Sequence, residues 1–187
     1  MIPVLLGLGS NTSFSGFSSI ELLAKACKKL CGILKNPVMS SVYESKAMYV
    51  TDQDNFYNMV FKGFADNSMS PFELLKQINQ IEAELGRDRS KEIRFGPRSM
   101  DIDIEEFGTE LINTPDLEIP HPRMKEREFV LIPALEILKE SADSKLRETL
   151  NSYLKSLSPQ GVEKCPENTQ ILFRKLLEGG CYGNKTC

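Results

Sequence analysis

The chain of 187 residues predicts an α+β sandwich, and three observations carry that prediction. Segments patterned as strands, at residues 2–8, 38–45, 56–64 and 100–107, are mixed with segments whose apolar residues recur at helical spacing. Gly108-Thr109 makes a hairpin-type connection, which favours antiparallel pairing over a doubly wound parallel sheet. A hydrophobic content of 41% suffices for a proper core, and the length is a prior for one domain, taken as residues 1–187. The assignment thins beyond about residue 140.

The elements follow in order. Residues 2–8 are a short apolar run ending at glycines, as in a buried strand. Ser19 is placed to cap a helix running to about Leu34, with Ile20, Leu23, Cys27, Leu30 and Leu34 at helical spacing. Residues 38–45 alternate as a strand, residues 46–55 form a polar loop able to act as a lid, and residues 56–64 are a β-rich aromatic strand. Ser70-Pro71-Phe72-Glu73 is a capping box with proline at the first helical position, opening a helix that ends at Gly86. Residues 100–107 alternate polar and apolar, and after the turn residues 110–112 form the hairpin partner. Helices are expected at 129–138 despite Pro133, at 142–157 on the Leu146, Leu150, Tyr153, Leu154 and Leu157 stripe, and at 169–178, stopped by Gly179-Gly180.

Composition excludes several classes. A formal charge of −3 and a pI near 5.4 give no basic footprint, so no nucleic-acid partner is expected. No segment approaches the roughly 20 apolar residues of a membrane span, and the N-terminus lacks the basic region and length of a signal peptide. Five cysteines, an odd number without C-x-x-C spacing, argue against a disulfide framework or a zinc site. Cys27 and Cys31 lie one helical turn apart on the apolar stripe and read as small core residues. The expectation is a cytoplasmic protein with reduced thiols, acting as a monomer.

The segment Arg94-Phe95-Gly96-Pro97-Arg98-Ser99-Met100-Asp101-Ile102-Asp103-Ile104 sets two carboxylates beside a cluster of guanidinium groups. On a strand Asp101 and Asp103 leave the same face. About 6.6 Å apart, at an effective dielectric near 20, they repel by roughly 2–3 kcal/mol. A divalent cation removes that penalty, and oxygen-only ligation by a carboxylate pair suits Mg²⁺, which completes its shell with water and substrate phosphate. Arg87, Arg89, Arg94 and Arg98 supply planar forks for phosphate oxygens. The plainer alternative is a charged loop leading into a strand whose acids face solvent, although Asp is poorly suited to strands. The charged loop from Arg87 to Gly96 reads as a lid over the site.

This run resembles the signature of the 6-hydroxymethyl-7,8-dihydropterin pyrophosphokinases of folate biosynthesis. So do Gly7-Leu8-Gly9-Ser10-Asn11, Phe56-Tyr57-Asn58, Ile119-Pro120-His121 and Met124-Lys125-Glu126-Arg127-Glu128-Phe129, which occur in the family's order over about residues 2–140. The resemblance implies a ferredoxin-like antiparallel sheet with helices on both faces, an α/β/α sandwich. It also implies transfer of the diphosphate of ATP to the hydroxymethyl group of the pterin, with release of AMP. By resemblance, Asp101 and Asp103 hold two Mg²⁺ ions, and Arg87, Arg89, Arg94, Arg98, His121 and Arg127 serve the phosphates. Phe56, Asn58 and Phe129 hold the pterin, and Ile104 and Leu117 join Arg87, Arg89, Arg98, His121 and Arg127 as ATP contacts. On pattern alone, His121 reads as a loop imidazole bonded to backbone, and the two phenylalanines read as core.

The chain departs from the family pattern in places. Phe56 stands for a frequent Tyr, Phe95 for a frequent Trp, Pro122 for a frequent Tyr and Lys46 for a frequent Pro, and the loop between Gly86 and Gly96 is one residue longer. Glu105 stands where the signature is usually apolar; it continues the same-face series after Asp101 and Asp103, where it either adds a third acid or meets solvent at the strand end, and the latter is expected. Two other functions compete: a binding module of the same fold without turnover, and a different Mg²⁺-dependent phosphotransferase that yields ADP. The absence of G-x-x-x-x-G-K-[ST] and G-x-G-x-x-G sets P-loop and protein kinases aside.

Overall fold

The structure, a computed structural model, describes residues 1–47, 52–89, 96–139 and 142–178. Strand β1 (Ile2–Ser10) is central in an antiparallel sheet, after which come helix α1 (Ser19–Cys31), β2 (Lys35–Met39), β3 (Tyr43–Ser45) and β4 (Phe56–Ala65). Helix α2 (Pro71–Glu84) then leads into β5 (Asp101–Phe107), and β6 (Ile112–Asn113) pairs with β7 (Glu118–Ile119) apart from the main sheet. Helices α3 (Glu128–Ile137) and α4 (Ser144–Ser156), the short β8 (Glu163–Lys164) and helix α5 (Pro166–Leu177) complete the described chain. The main sheet runs β5-β1-β4-β3-β8, with β2 also on β4. The expected mixture of helices and antiparallel strands is therefore present.

Two helices open as capping boxes. Ser70 and Glu73 exchange side-chain and backbone bonds ahead of Pro71, as expected. At α1 the cap is Ser18 instead of Ser19, because Glu21 lies three residues beyond Ser18 and completes the reciprocal pair. Gly86 ends the α2 segment at φ +96°, where a side chain would be strained and its Cβ would fall 2.2 Å from the Phe14 ring. Helix α3 accommodates Pro133 inside its span.

Three expectations are corrected. The strand at 38–45 is two strands, because between them Ser41 turns its N–H to the Glu136 carboxylate and Val42 turns its N–H to Thr169 Oγ1. The hairpin partner of β5 does not form. Its outer edge is already engaged, with the Ile102 N–H donating to Glu82 Oε1 and the Glu105 carbonyl accepting from the His121 N–H, so the following chain pairs Ile112 with Ile119. Helix α5 starts at Pro166, where a missing N–H costs nothing at the first turn. Gly179-Gly180 lies outside the described residues.

Alternation along β1 divides the core. Val4, Leu6 and Leu8 pack into an apolar layer with Leu23, Cys27 and Leu30 of α1, Leu74 and Ile78 of α2, and Leu172 and Leu176 of α5. Leu5 and Val60 turn to the opposite face and meet Val130, Leu131 and Ala134 of α3 and Leu150 of α4. Cys27 is fully buried, which confirms the core reading. On the α3 side the cover stops short. Beyond Leu5 the strand presents Gly7 and Gly9, and the register sets Gly9 between Asn58 and Asp101, and Gly7 between Val60 and Asp103. The uncovered glycine floor is where the candidate site lies.

The tail is tied to the sheet by Glu136 of α3, whose carboxylate accepts from the Ser41 N–H (2.8 Å), Ser41 Oγ (2.7 Å) and Lys164 Nζ (2.7 Å). Burial pushes the Glu136 carboxyl upward, but the bonds from Lys164 and Ser41 win and hold it below 4.5. A depressed folded value means stability that is present above pH 4.5 and lost as pH falls. Glu136→Gln is therefore expected to cost about 1–2 kcal/mol at pH 7. In thermal melts across pH the gap from the parent should close in acid, and a gap independent of pH would contradict the charge-assisted clamp.

Candidate active site

A cleft of about 500 Å³ opens over the glycine floor. Strand β5 delivers Asp101 and Asp103 to it from one face, while Ile102 and Ile104 go into the opposite core layer. Each carboxylate is held by guanidinium groups. Asp101 accepts from Arg87 at 2.5 Å and from Arg98 at 2.9 Å, and Asp103 accepts from Arg127 at 2.6 Å. The His121 Nε2 lies 3.7 Å from Asp103. Burial alone would raise the Asp103 carboxyl, but Arg127 and His121 hold it below its usual value.

The guanidinium groups have their own anchors. Glu82, almost wholly buried on α2, bonds Arg87 at 2.5 Å and Arg89 at 2.5 Å while accepting from the Ile102 N–H at 2.8 Å. Burial raises its pKa despite Arg87. Nothing in the motif marked Glu82, yet the signal was present: it falls on the Leu74, Ile78, Ile81 stripe, where an acid on an apolar helical face needs a partner. Asn11 was also passed over as an individual contact. Its Oδ1 accepts from the Arg98 N–H at 2.8 Å and its Nδ2 donates to Gln53 and to the Asp54 carbonyl, so one amide joins three segments around the cleft.

His121 is largely buried, which lowers its pKa. Its Nδ1 accepts from the Arg123 N–H at 3.2 Å, which leaves the proton of the neutral ring on Nε2, the nitrogen that faces Asp103. Arg127 sits just ahead of α3, its guanidinium 5.6 Å from the Phe129 ring. Phe129 lines the cleft together with Phe56 and Asn58. The buried Asn58 donates to Ser45 Oγ at 2.9 Å and to the Phe56 carbonyl at 3.3 Å.

Of the residues predicted from sequence, Arg87, Arg89, Arg98, Asp101, Asp103, Arg127, Phe56, Asn58 and Phe129 line this one cleft, and His121 adjoins it through Asp103. Ile104 and Leu117 do not line it, since both side chains are buried in the core layer under α1 and α2. Arg94, with Phe95 and most of the expected lid, lies outside the described residues.

Glu105 is a correction. Instead of meeting solvent it is 0% exposed. The ladder is irregular here: Leu6 pairs with Ile104 but Leu5 with Glu106, so Glu105 is the extra residue of a β-bulge. Alternation from Asp103 puts it on the cleft side, where the His121 segment and Gly7 close around it. Burial, then the Asp103 charge, push its carboxyl well above the ordinary range.

A glycine-floored sheet face that pairs two carboxylates with several guanidinium groups, beside two phenylalanines, has the chemistry to suit an enzyme of polyphosphates and flat rings. Comparison with known proteins narrows the class. The model of the family "7,8-dihydro-6-hydroxymethylpterin-pyrophosphokinase (HPPK)" matches residues 5–139, and the chain belongs to that family. It is 42% identical over 137 residues to a 2-amino-4-hydroxy-6-hydroxymethyldihydropteridine pyrophosphokinase of Aquifex aeolicus, covering 73% of this chain and 81% of that one. It is 39% identical over 160 residues to the folic acid synthesis protein fol1 of Pneumocystis carinii, covering 86% of this chain but 21% of that longer protein. A crystal structure of HPPK-DHPS in complex with substrates resembles it with TM-score 0.60 and 14% identity, over 83% of this chain and 46% of that one, a likeness of fold alone.

Proposed function

We propose that the cleft transfers the diphosphate of ATP to 6-hydroxymethyl-7,8-dihydropterin, giving the pterin diphosphate and AMP, a step of folate biosynthesis. The observation that carries this reading is the presence of both halves of the chemistry in one cleft: Asp101 and Asp103 among arginines, and Phe56, Asn58 and Phe129 beside them. The family and its relatives' names agree with it.

The Asp101–Asp103 pair offers only oxygen donors, and the described residues contain no cluster of three or more His, Cys, Asp or Glu placed to hold a metal. Such a donor set fits Mg²⁺, here two ions, whose remaining ligands come from water and phosphate. When bound, the ions neutralise phosphate charge and acidify the attacking hydroxyl. The chain's residues do the rest. Phe56 and Phe129 stack the pterin, and the Asn58 amide meets its polar edge. Arg87, Arg89 and Arg98 on one side and Arg127 on the other bind phosphate oxygens, joined by Arg94, and keep the β-phosphorus in line with the pterin hydroxyl. His121 donates from Nε2 to a phosphate oxygen as a neutral ring. Ile104 of edge strand β5 and Leu117 of the β6–β7 turn, whose side chains are buried in the core layer, meet the nucleotide through their backbone only.

The order β5-β1-β4-β3, with α1 and α2 as crossovers, supports a ferredoxin-like α/β/α sandwich. One pyrophosphokinase domain over residues 1–187 is supported by α5 packing against the α1 layer. The remaining readings are a monomer in the cytoplasm; among the described residues no helix is long and apolar enough to cross a membrane. With ATP, Mg²⁺ and 6-hydroxymethyl-7,8-dihydropterin, separated products should show one AMP per pterin consumed. ADP in its place would indicate a different phosphotransferase, and binding of both substrates without turnover would indicate a binding module.

A further inference from the structure

Arg127 and Glu105 are neighbours that leave their bonding unfinished. Both oxygens of Glu105 and the Nε of Arg127 are buried and meet no hydrogen-bond partner among the described residues. Arg127 Nη1 lies 2.6 Å from Asp103 Oδ2 and 4.0 Å from Glu105 Oε1. Buried polar groups in folded proteins are nearly all paired, so three orphaned atoms on adjacent side chains mark an arrangement built for a second state. The Glu105 carboxyl is held in place for it. Its backbone carbonyl is fixed by the His121 N–H at 3.0 Å, and its Oε1 occupies space that only a glycine at position 7 leaves open, since a Cβ there would lie 2.9 Å away. The other groups facing it are His121 Nδ1, 3.9 Å from Oε2, and the Asp103 carboxylate on the same strand.

We propose that Glu105 is a positioning residue, the second acceptor onto which Arg127 moves when Asp103 is drawn to a divalent cation. This rests on the reading of Asp103 as a metal ligand and of Arg127 as a phosphate contact. In the free protein Asp103 is the hydrogen-bond acceptor of the guanidinium among the described residues, with Glu105 at 4.0 Å beyond bonding distance. A carboxylate oxygen shared with a cation binds a guanidinium less strongly, and a buried guanidinium without an acceptor would swing away from the phosphate path. A shift of about 1 Å brings Nη1 from 4.0 Å to charge-assisted bonding distance of Glu105 Oε1. Arg127 then keeps its aim at the phosphates, and the acceptor serves whether the carboxyl is ionised or neutral. The reaction gains a residue that touches neither substrate nor metal.

Two variants separate an acceptor from mere bulk: Glu105→Gln keeps a carbonyl oxygen, and Glu105→Met keeps the volume without it. Calorimetry with a non-hydrolysable ATP analogue is the readout, with and without Mg²⁺. With Mg²⁺, Glu105→Met should bind at least about tenfold more weakly than the parent, the size of one charge-assisted bond, while Glu105→Gln stays close to it. Without Mg²⁺ all three should bind alike. Melting of the free proteins gives a reading independent of nucleotide: Glu105→Met should raise Tm by removing a buried carboxyl that has no hydrogen-bond partner among the described residues. A lower Tm would mean that Glu105 already holds Arg127 in the free state, and would overturn the handover. Asp103→Asn and Arg127→Met serve as controls. If both lose Mg²⁺-dependent binding while Glu105→Met does not, the handover alone falls; if neither does, the site reading falls and takes the handover with it.

Discussion

Asp103→Asn is expected to leave a folded protein whose turnover falls at least about a hundredfold, or about 2.7 kcal/mol of transition-state stabilisation. The substitution keeps the shape of the side chain and an oxygen for Arg127, which bonds Asp103 at 2.6 Å. What it removes is the charge. Were Asp103 only the structural partner of Arg127, losing its charge would leave the rate alone and lower Tm, because Arg127 and His121 outweigh burial and favour the ionised carboxyl. The two cases therefore predict opposite results. Rates measured over a Mg²⁺ series, together with Tm, decide between them: the metal role predicts partial recovery at high Mg²⁺, because a weakened site can be refilled but its charge is not restored. A folded variant with parental rates at low Mg²⁺ would remove the metal assignment and most of the proposed mechanism.

Why this site was legible in the sequence, and where it was not, follows from the range of the interactions. The capping box at Ser70 and the alternation of Asp101 to Ile104 are local devices, and both elements appear as read. The strand at 38–45 broke because Glu136, 95 residues beyond Ser41, captures its backbone N–H. The hairpin after β5 failed because Glu82 and His121 reach the strand edge first, a competition invisible to a turn signal. Glu105 lay between the two cases. Alternation stops where Glu105 and Glu106 sit together, and Ile104 and Phe107 can both enter the same core layer only across a bulge. That defect is readable in the sequence as a bulge, whereas the burial of Glu105 required the His121 segment and Gly7 to be in place around it. Pairing within the cleft was equally out of reach, since Arg127 is 24 residues from Asp103 and nothing in the motif says which acid it meets.

The aromatic slot makes the second large expectation. Phe129→Ala should weaken pterin binding by about 2 kcal/mol, roughly thirtyfold in Kd, through loss of buried ring area and stacking. Phe129 is well suited to this test, because it lies at the first turn of α3 and lines the cleft, while the deep packing of that helix is carried by Val130, Leu131 and Ala134. The fold should survive its removal. The ring is also 5.6 Å from the Arg127 guanidinium, so a smaller loss of ATP affinity should accompany the larger loss for the pterin. Asn58→Ala supplies the comparison from the other side of the slot: it removes polar recognition without touching Arg127, and should weaken the pterin while leaving ATP unchanged. Titrations of each variant with pterin and with an ATP analogue separate the two effects. Unchanged pterin affinity in a folded Phe129→Ala protein would place the ring outside the slot, and the pterin would have to be sought elsewhere along the cleft.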